Sequence, residues 1–171
     1  MATSKQGITL VGMPGAGKST VGVLLSKRLG LDFVDTDLGI QVREGRILQD
    51  IVDAEGYLKL REIEESVLLA LDARDRVVAT GGSAVYSERA IRHLAAQSVV
   101  VYLEVPLEEL RRRIRDYDTR GIARRPDQDL DDLFRERTLL YRHYADVSIR
   151  CEGLGPEQVV DAIIAALPQP R

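Results

Sequence analysis

Short runs of β-branched residues alternate along the chain with longer segments in which apolar residues recur every three or four positions. The first pattern is typical of buried strands, and the second is typical of amphipathic helices. The predicted strands span residues 8–12, 33–35, 76–80, 98–103 and 147–149. The predicted helices span residues 18–29, 37–43, 47–54, 57–73, 87–96, 106–115, 129–144 and 156–167. This alternation predicts an α/β fold, in which helices cover both faces of a parallel sheet.

Boundary residues support several of these elements. Gly30 is a suitable C-terminal stop, Ser87 a suitable N-cap, and Pro106 suits the first turn of a helix. Residues 116–128 contain many charged residues and few apolar ones, which favours a mobile surface loop. The last four residues, 168–171, are expected to fray.

The segment between the first strand and the first helix carries the clearest chemistry. Residues 12–19 read Gly-Met-Pro-Gly-Ala-Gly-Lys-Ser and fit the phosphate-loop pattern G-x-x-x-x-G-K-[ST]. Its glycines permit a tight turn whose backbone N–H groups bind phosphate at a helix N-terminus. Lys18 is then expected to reach the β- and γ-phosphates, and the Ser19 hydroxyl to bind Mg²⁺.

Composition narrows the class of protein further. A chain of 171 residues with 44% hydrophobic and 30% charged residues predicts a single globular domain, residues 1–171. The net charge of −3 gives no support for nucleic-acid or membrane binding, and no apolar run is long enough to span a bilayer. The single cysteine, Cys151, excludes an intramolecular disulfide and fits the cytoplasm.

Two carboxylates follow the second predicted strand, and their role is open on local grounds. Asp35 and Asp37 flank Thr36, so on an extended segment they would point the same way, one towards Mg²⁺ and one towards a substrate hydroxyl. The alternative is structural, because Thr36 or Asp37 could cap the next helix.

Several arginines have two possible roles. Arg61 lies three residues before Glu64 on a predicted helix, and the simplest interpretation of this pair alone is a solvated ion pair. Arg113, Arg125 and Arg137 could neutralise the charge of a transferring phosphoryl group or bind a carboxylate, or could be surface charges. Gly81 and Gly82 end the third strand, where they permit either close approach to a ligand or a tight turn.

Taken in order, these motifs resemble the shikimate kinase family. The resemblance extends from the first strand to Asp146. The motifs that carry it are Gly-Met-Pro-Gly-Ala-Gly-Lys-Ser-Thr at 12–20, Asp-Thr-Asp at 35–37, Leu-Arg-Glu-Ile-Glu at 60–64, Thr-Gly-Gly at 80–82, Arg-Pro at 125–126, and Arg137 with Leu-Tyr-Arg at 140–142. The resemblance implies a three-layer P-loop kinase fold with a five-stranded parallel sheet in the order 2-3-1-4-5. It also implies a mobile lid at about 113–128 and a substrate-binding helical region at about 37–64.

The implied reaction is transfer of the ATP γ-phosphoryl group to the 3-hydroxyl of shikimate, a step of aromatic amino-acid biosynthesis. The resemblance implies Mg²⁺ as cofactor, held directly by Ser19 and through water by Asp35. Arg125 would be the lid arginine that reaches the phosphates, and Arg113 would stack over the adenine. The residues implied to bind ATP are Gly15, Ala16, Gly17, Lys18, Ser19, Thr20, Arg113 and Arg125.

The implied acceptor site has four members. Asp37 would bind the substrate hydroxyls and position or deprotonate the attacking one, so that Lys18, Asp37 and Arg125 form the catalytic set. Arg61 and Arg137 would clamp the carboxylate, and Gly82 would donate its backbone N–H to the substrate. The expected partners are therefore small molecules alone, with no nucleic acid and no membrane, and the expected state is a monomer.

The chain departs from the family pattern around the acceptor. Ser83 stands in place of a third glycine, and Asp127 and Gln128 follow Arg-Pro where the family has two leucines. Val52 and Leu60 replace aromatic residues of the pocket wall. Two alternatives therefore accompany shikimate phosphorylation. One is a kinase for another hydroxylated acid, such as a gluconate-type sugar acid, and the other is a nucleotide-binding module without catalysis.

Overall fold

The computed structural model describes residues 7–168, so most of the tail that was expected to fray lies outside the described residues. Five strands form one parallel sheet, with β1 at Gly7–Val11, β2 at Asp32–Asp35, β3 at Arg76–Ala79, β4 at Ser98–Glu104 and β5 at Val147–Arg150. Their order is β2-β3-β1-β4-β5. The predicted α/β class and the order 2-3-1-4-5 are confirmed.

Within residues 7–168, eight α-helices connect or flank these strands. They are α1 at Lys18–Leu29, α2 at Thr36–Glu44, α3 at Leu48–Glu55, α4 at Tyr57–Leu69, α5 at Glu88–Ala95, α6 at Leu107–Arg113, α7 at Leu130–Tyr144 and α8 at Pro156–Ala166. A 3₁₀ turn at Ala84–Tyr86 follows β3. None of the helices in residues 7–168 has the length and apolar character that crossing a membrane requires.

Local chemistry sets several helix ends. Gly30 ends α1 at φ 67°, and its N–H donates to the Ser26 carbonyl. The Ser87 hydroxyl accepts from the Ala90 N–H, which confirms the predicted N-cap of α5. Helix α4 is four residues shorter than predicted, because the chain turns at Ala70 and then reaches Asp75, whose φ is 55°.

The apolar residues form two separate clusters. The larger one surrounds the sheet and includes β1, β3 and β4, whose side chains are almost entirely buried. The smaller one joins α2, α3 and α4 through Ile40, Ile51, Leu60 and Ile63, and Ala123 packs into it from the segment before α7. The centre of residues 116–128 is therefore anchored, which differs from the expected surface loop.

Candidate active site

A cavity of about 310 Å³ opens at the carboxyl ends of the strands. This is where ligands bind in open parallel sheets. The phosphate loop forms one side of the cavity, and α2, α4, the turn after β3 and α7 form the other. The polar and charged side chains in its wall belong to Lys18, Ser19, Thr20, Asp37, Glu64, Thr80, Ser83, Arg113, Arg120 and Arg137.

The phosphate loop has the conformation that its glycines allow. Gly17 adopts φ 93°, a left-handed conformation that places the start of α1 directly behind the loop. The Lys18 side chain is 8% exposed, and its Nζ donates to the Gly12 carbonyl at 2.7 Å and the Met13 carbonyl at 2.9 Å. Burial lowers the pKa of Lys18 to about 8, although Asp37 opposes this effect. The ammonium therefore lies inside the cavity, close to the backbone N–H groups expected to bind phosphate.

Asp35 combines the two roles that local sequence left open. Its Oδ1 accepts from the N–H groups of Asp37 and Leu38, so Asp35 is the N-cap of α2 and the predicted caps, Thr36 and Asp37, are wrong. Its Oδ2 accepts from the Ser19 hydroxyl at 2.6 Å. A hydroxyl and a carboxylate this close to a phosphate loop fit Mg²⁺, which takes one or two protein oxygens and completes its coordination with phosphate and water.

Asp37 and Glu64 form an acidic pair in the cavity wall. Burial raises the pKa of Asp37, against the opposing charge of Lys18. Glu64 is 3% exposed, and burial, followed by the charge of Asp37, raises its pKa to about 7. The Ser83 hydroxyl donates to Glu64 Oε2. Glu64 is thus a buried group bound to Ser83 rather than half of a solvated ion pair with Arg61.

Arg61 and Arg137 converge on one backbone carbonyl. The Nη2 atoms of the two side chains donate to the Ala123 oxygen at 3.2 and 3.0 Å respectively. Arg137 is 1% exposed, and its guanidinium lies so close to Gly82 that a Cβ there would be 2.7 Å from Nη1. A side chain at position 82 would therefore displace the Arg137 guanidinium or the Pro14 ring. The Gly82 carbonyl accepts from the Tyr141 hydroxyl at 2.6 Å.

Of the three remaining arginines, Arg113 and Arg120 line the cavity and Arg125 lies at the surface. Arg113 Nη1 donates to the Gly15 carbonyl at 3.2 Å and borders a neighbouring pocket of about 260 Å³. Arg125 instead pairs with Glu136 Oε2 at 3.2 Å, and its side chain is half exposed. Arg120 lines the cavity, and its charge acts on both Lys18 and Asp37.

Sequence reasoning assigned Glu64 only an ion pair with Arg61, and it gave no role to Arg120 or Tyr86. Glu64 lies one helical turn after Leu60 and next to Ile63, so its buried position could have been inferred from the apolar face of α4. Arg120 was seen only as part of a charged segment. Tyr86 contacts both Arg61 and Arg137, and no local signal indicates this because the three residues come from different elements.

Comparisons with known proteins agree with this geometry. The family model described as shikimate kinase matches residues 14–168. The shikimate kinase of Rhodococcus erythropolis is 40% identical over 161 residues, which cover 92% of this chain and 95% of the relative. That of Chromohalobacter salexigens is 43% identical over 161 residues, covering 92% of this chain and 89% of the relative.

Solved structures give the same result. The shikimate kinase of Acinetobacter baumannii in complex with shikimate has a TM-score of 0.85 at 33% identity and covers 94% of this chain and 92% of its own. The shikimate kinase of Aquifex aeolicus has a TM-score of 0.79 at 34% identity, covering 92% and 94%. With a family match over most of the chain and relatives at this identity, the chain belongs to the shikimate kinase family, whose members are ATP-dependent kinases.

Proposed function

We propose that this protein transfers the γ-phosphoryl group of ATP to the 3-hydroxyl of shikimate. The observation that carries the proposal is the convergence of Arg61 and Arg137 on the Ala123 carbonyl oxygen. Ala123 and Arg137 line the cavity that also contains Lys18 and Asp37, whereas Arg61 reaches this carbonyl from a neighbouring pocket of about 350 Å³. Two guanidiniums aimed at one oxygen suit a carboxylate, and the acidic side chain of Asp37 in the cavity wall suits a hydroxyl.

The phosphate side of the cavity binds ATP. Backbone N–H groups of residues 15–20 bind the phosphates, and the Lys18 ammonium exchanges its loop carbonyls for the β- and γ-oxygens. Ser19 would hold Mg²⁺ directly and Asp35 would hold it through water, and the bound ion would reduce the charge on these oxygens. The pocket beside Arg113 receives the adenine.

The acceptor side orients the hydroxyl for in-line attack. Arg61 and Arg137 bind the carboxylate, the Gly82 N–H donates to the substrate, and Asp37 accepts a hydrogen bond from the attacking hydroxyl. Burial raises the pKa of Asp37, so its carboxylate is a stronger base for the proton of the hydroxyl than an exposed aspartate would be. The proton of the hydroxyl passes to Asp37 as the new phosphorus–oxygen bond to the acceptor forms, and the bond between the γ-phosphorus and the bridging oxygen breaks to release ADP.

Arg125 is proposed as the lid arginine that stabilises charge on the transferring group. Its guanidinium pairs with Glu136, so it has to leave this carboxylate before it reaches the phosphates. Closure of residues 113–128 over the cavity would exclude water and suppress ATP hydrolysis. We further propose that the protein works in the cytoplasm as a monomer on small-molecule substrates.

Coupled ADP release from the purified protein with Mg-ATP tests the proposal. We expect turnover that depends on shikimate, with a product whose ³¹P NMR signal belongs to a phosphate ester at the 3-position. Lys18→Ala is the matched control for contaminating kinases. Turnover with a sugar acid such as gluconate and none with shikimate would overturn the assignment in favour of a different acceptor, which Ser83 in the cavity wall would then help to select.

A further inference from the structure

Tyr86 lies between the two arginines of the proposed carboxylate clamp. It belongs to the 3₁₀ turn Ala84–Tyr86, while Arg61 comes from α4 and Arg137 from α7. The Arg61 Cζ atom is 3.7 Å from the centre of the Tyr86 ring, and the Arg137 Cζ atom is 5.3 Å from it. Both cations are within the range at which the face of an aromatic ring attracts them.

The hydroxyl of Tyr86 fixes the orientation of the ring. It donates to the Glu136 side chain and accepts from Arg137 Nε at 3.4 Å. Glu136 also accepts from Arg125 Nη1 at 3.2 Å and from Gln128 Nε2 at 3.2 Å. Arg61 of α4 therefore stacks on the face of the Tyr86 ring, while Glu136 and Arg137 of α7 hold its hydroxyl through hydrogen bonds.

The aromatic ring stabilises two neighbouring guanidiniums in a way that a carboxylate at the same place could not. Two guanidiniums that face one carbonyl repel each other, and burial lowers the pKa of Arg61. A carboxylate between them would offset the repulsion but would occupy the in-plane N–H groups needed for the substrate. The face of the Tyr86 ring attracts the Arg61 guanidinium from above its plane and takes up none of its N–H groups, and Arg137 gives only its Nε–H to the Tyr86 hydroxyl.

We propose that Tyr86 is a positioning residue for substrate recognition, which sets the spacing and orientation of Arg61 and Arg137 so that both can bind one carboxylate. This inference rests on the proposed function and deepens it. Tyr86 touches the arginines rather than the reacting atoms, so its effect is on acceptor binding. Tyr57 provides a comparison, because its ring centre is 5.0 Å from the Arg61 Cζ and it contributes to one side of the clamp only.

Three variants separate the contributions of ring and hydroxyl. We expect Tyr86→Leu to raise the KM for shikimate about tenfold, because ring and hydroxyl are both lost. Tyr86→Phe keeps the ring and should raise the KM for shikimate about twofold. Tyr57→Leu should raise this KM by less than about threefold. The KM for ATP should stay within about twofold of the wild-type value in all three variants, since ATP binds the other side of the cavity. Thermal unfolding of each variant identifies any loss of folded protein.

The methyl ester of shikimate shows whether the effect acts through the carboxylate. Measured as a competitive inhibitor, it should lose less than about twofold in affinity on Tyr86→Leu, because it lacks the charge that the clamp binds. A KM for shikimate within twofold of wild type in a folded Tyr86→Leu protein would overturn the inference, as would an equal loss with shikimate and its ester. Either result, with shikimate turnover intact in the wild type, would leave the proposed function standing.

Discussion

The phosphate half and the acceptor half of the cavity differ in how widely their residues are spread along the sequence. The phosphate half comes from the loop at residues 12–19 and from Asp35, which lies at the end of β2, the next strand along the chain. The acceptor half takes Gly82 from the turn after β3 and Arg137 from α7, and Arg61 of α4 reaches it through the Ala123 carbonyl. A phosphate site can be local because backbone N–H groups do most of the binding, whereas a carboxylate clamp requires long side chains to converge.

The largest expected effect is on the phosphate half. Lys18→Ala should lower kcat about a thousandfold with every acceptor, because a buried cation that stabilises transferred charge is removed. Initial rates of ADP release with saturating ATP and shikimate measure this. Lys27→Ala, at the exposed end of α1, is the matched control and should keep the wild-type rate. A fall of less than tenfold for Lys18→Ala would contradict the role given to its ammonium.

The next effect separates the two halves. Arg61→Ala should raise the KM for shikimate about a hundredfold, with little change in the KM for ATP, because truncation leaves Arg137 as the only guanidinium facing the carboxylate. Arg137→Lys should have a similar effect, since an ammonium keeps the charge and loses the paired N–H groups. Steady-state kinetics with each substrate varied in turn give both constants. Equal losses for both substrates would mean that the halves are not independent.

A smaller effect distinguishes the two arginines of the segment before α7. Arg125→Ala should lower kcat about tenfold and change the KM for ATP by less than about twofold, because Arg125 reaches the phosphates only after leaving Glu136. Arg120→Ala is the comparison, because Arg120 already lines the cavity. A larger loss of kcat in Arg120→Ala than in Arg125→Ala would transfer the lid role to Arg120.

The buried acid of the acceptor half predicts a pH dependence of stability. Burial raises the pKa of Glu64 to about 7 from an unfolded value of 4.5, so the folded protein retains a proton that the unfolded chain has lost between these values. The contribution of Glu64 to stability is therefore present below pH 4.5 and is lost as the pH rises to 7. At 1.36 kcal/mol per pKa unit this amounts to about 3 kcal/mol at most.

Glu64→Gln removes this titration, since glutamine stays neutral. The free energy of unfolding of Glu64→Gln minus that of the wild type should be larger at pH 8 than at pH 5, by up to about 3 kcal/mol. Urea denaturation of both proteins at the two pH values measures the difference. Glu62→Gln, on the exposed side of α4, should show no such pH dependence. The same difference between Glu64→Gln and wild type at both pH values would contradict a raised pKa for Glu64.

The same contrast explains what the sequence could predict. The strands, the order of the sheet and the phosphate loop follow from local periodicity, a contiguous motif and a family resemblance. The sequence offered Thr36 or Asp37 as a possible N-cap of α2, whereas Asp35 caps it. All three residue types suit this position, and only the backbone geometry decides among them. The burial of Ala123 was missed because its apolar partners lie on α2, α3 and α4, far away in the sequence. The burial of Ile122 was missed because it packs into the larger cluster around the sheet.

Calorimetric titration of shikimate, with ADP present, into the wild type, Arg61→Ala and Arg137→Lys tests the central claim most directly. The claim is that two arginines from separate helices form one carboxylate site opposite the phosphate loop. We predict binding to the wild type, affinities at least about tenfold weaker for both variants, and unchanged ADP affinity in all three proteins. Unchanged shikimate affinity in both variants, or no binding of shikimate to the wild type, would contradict it.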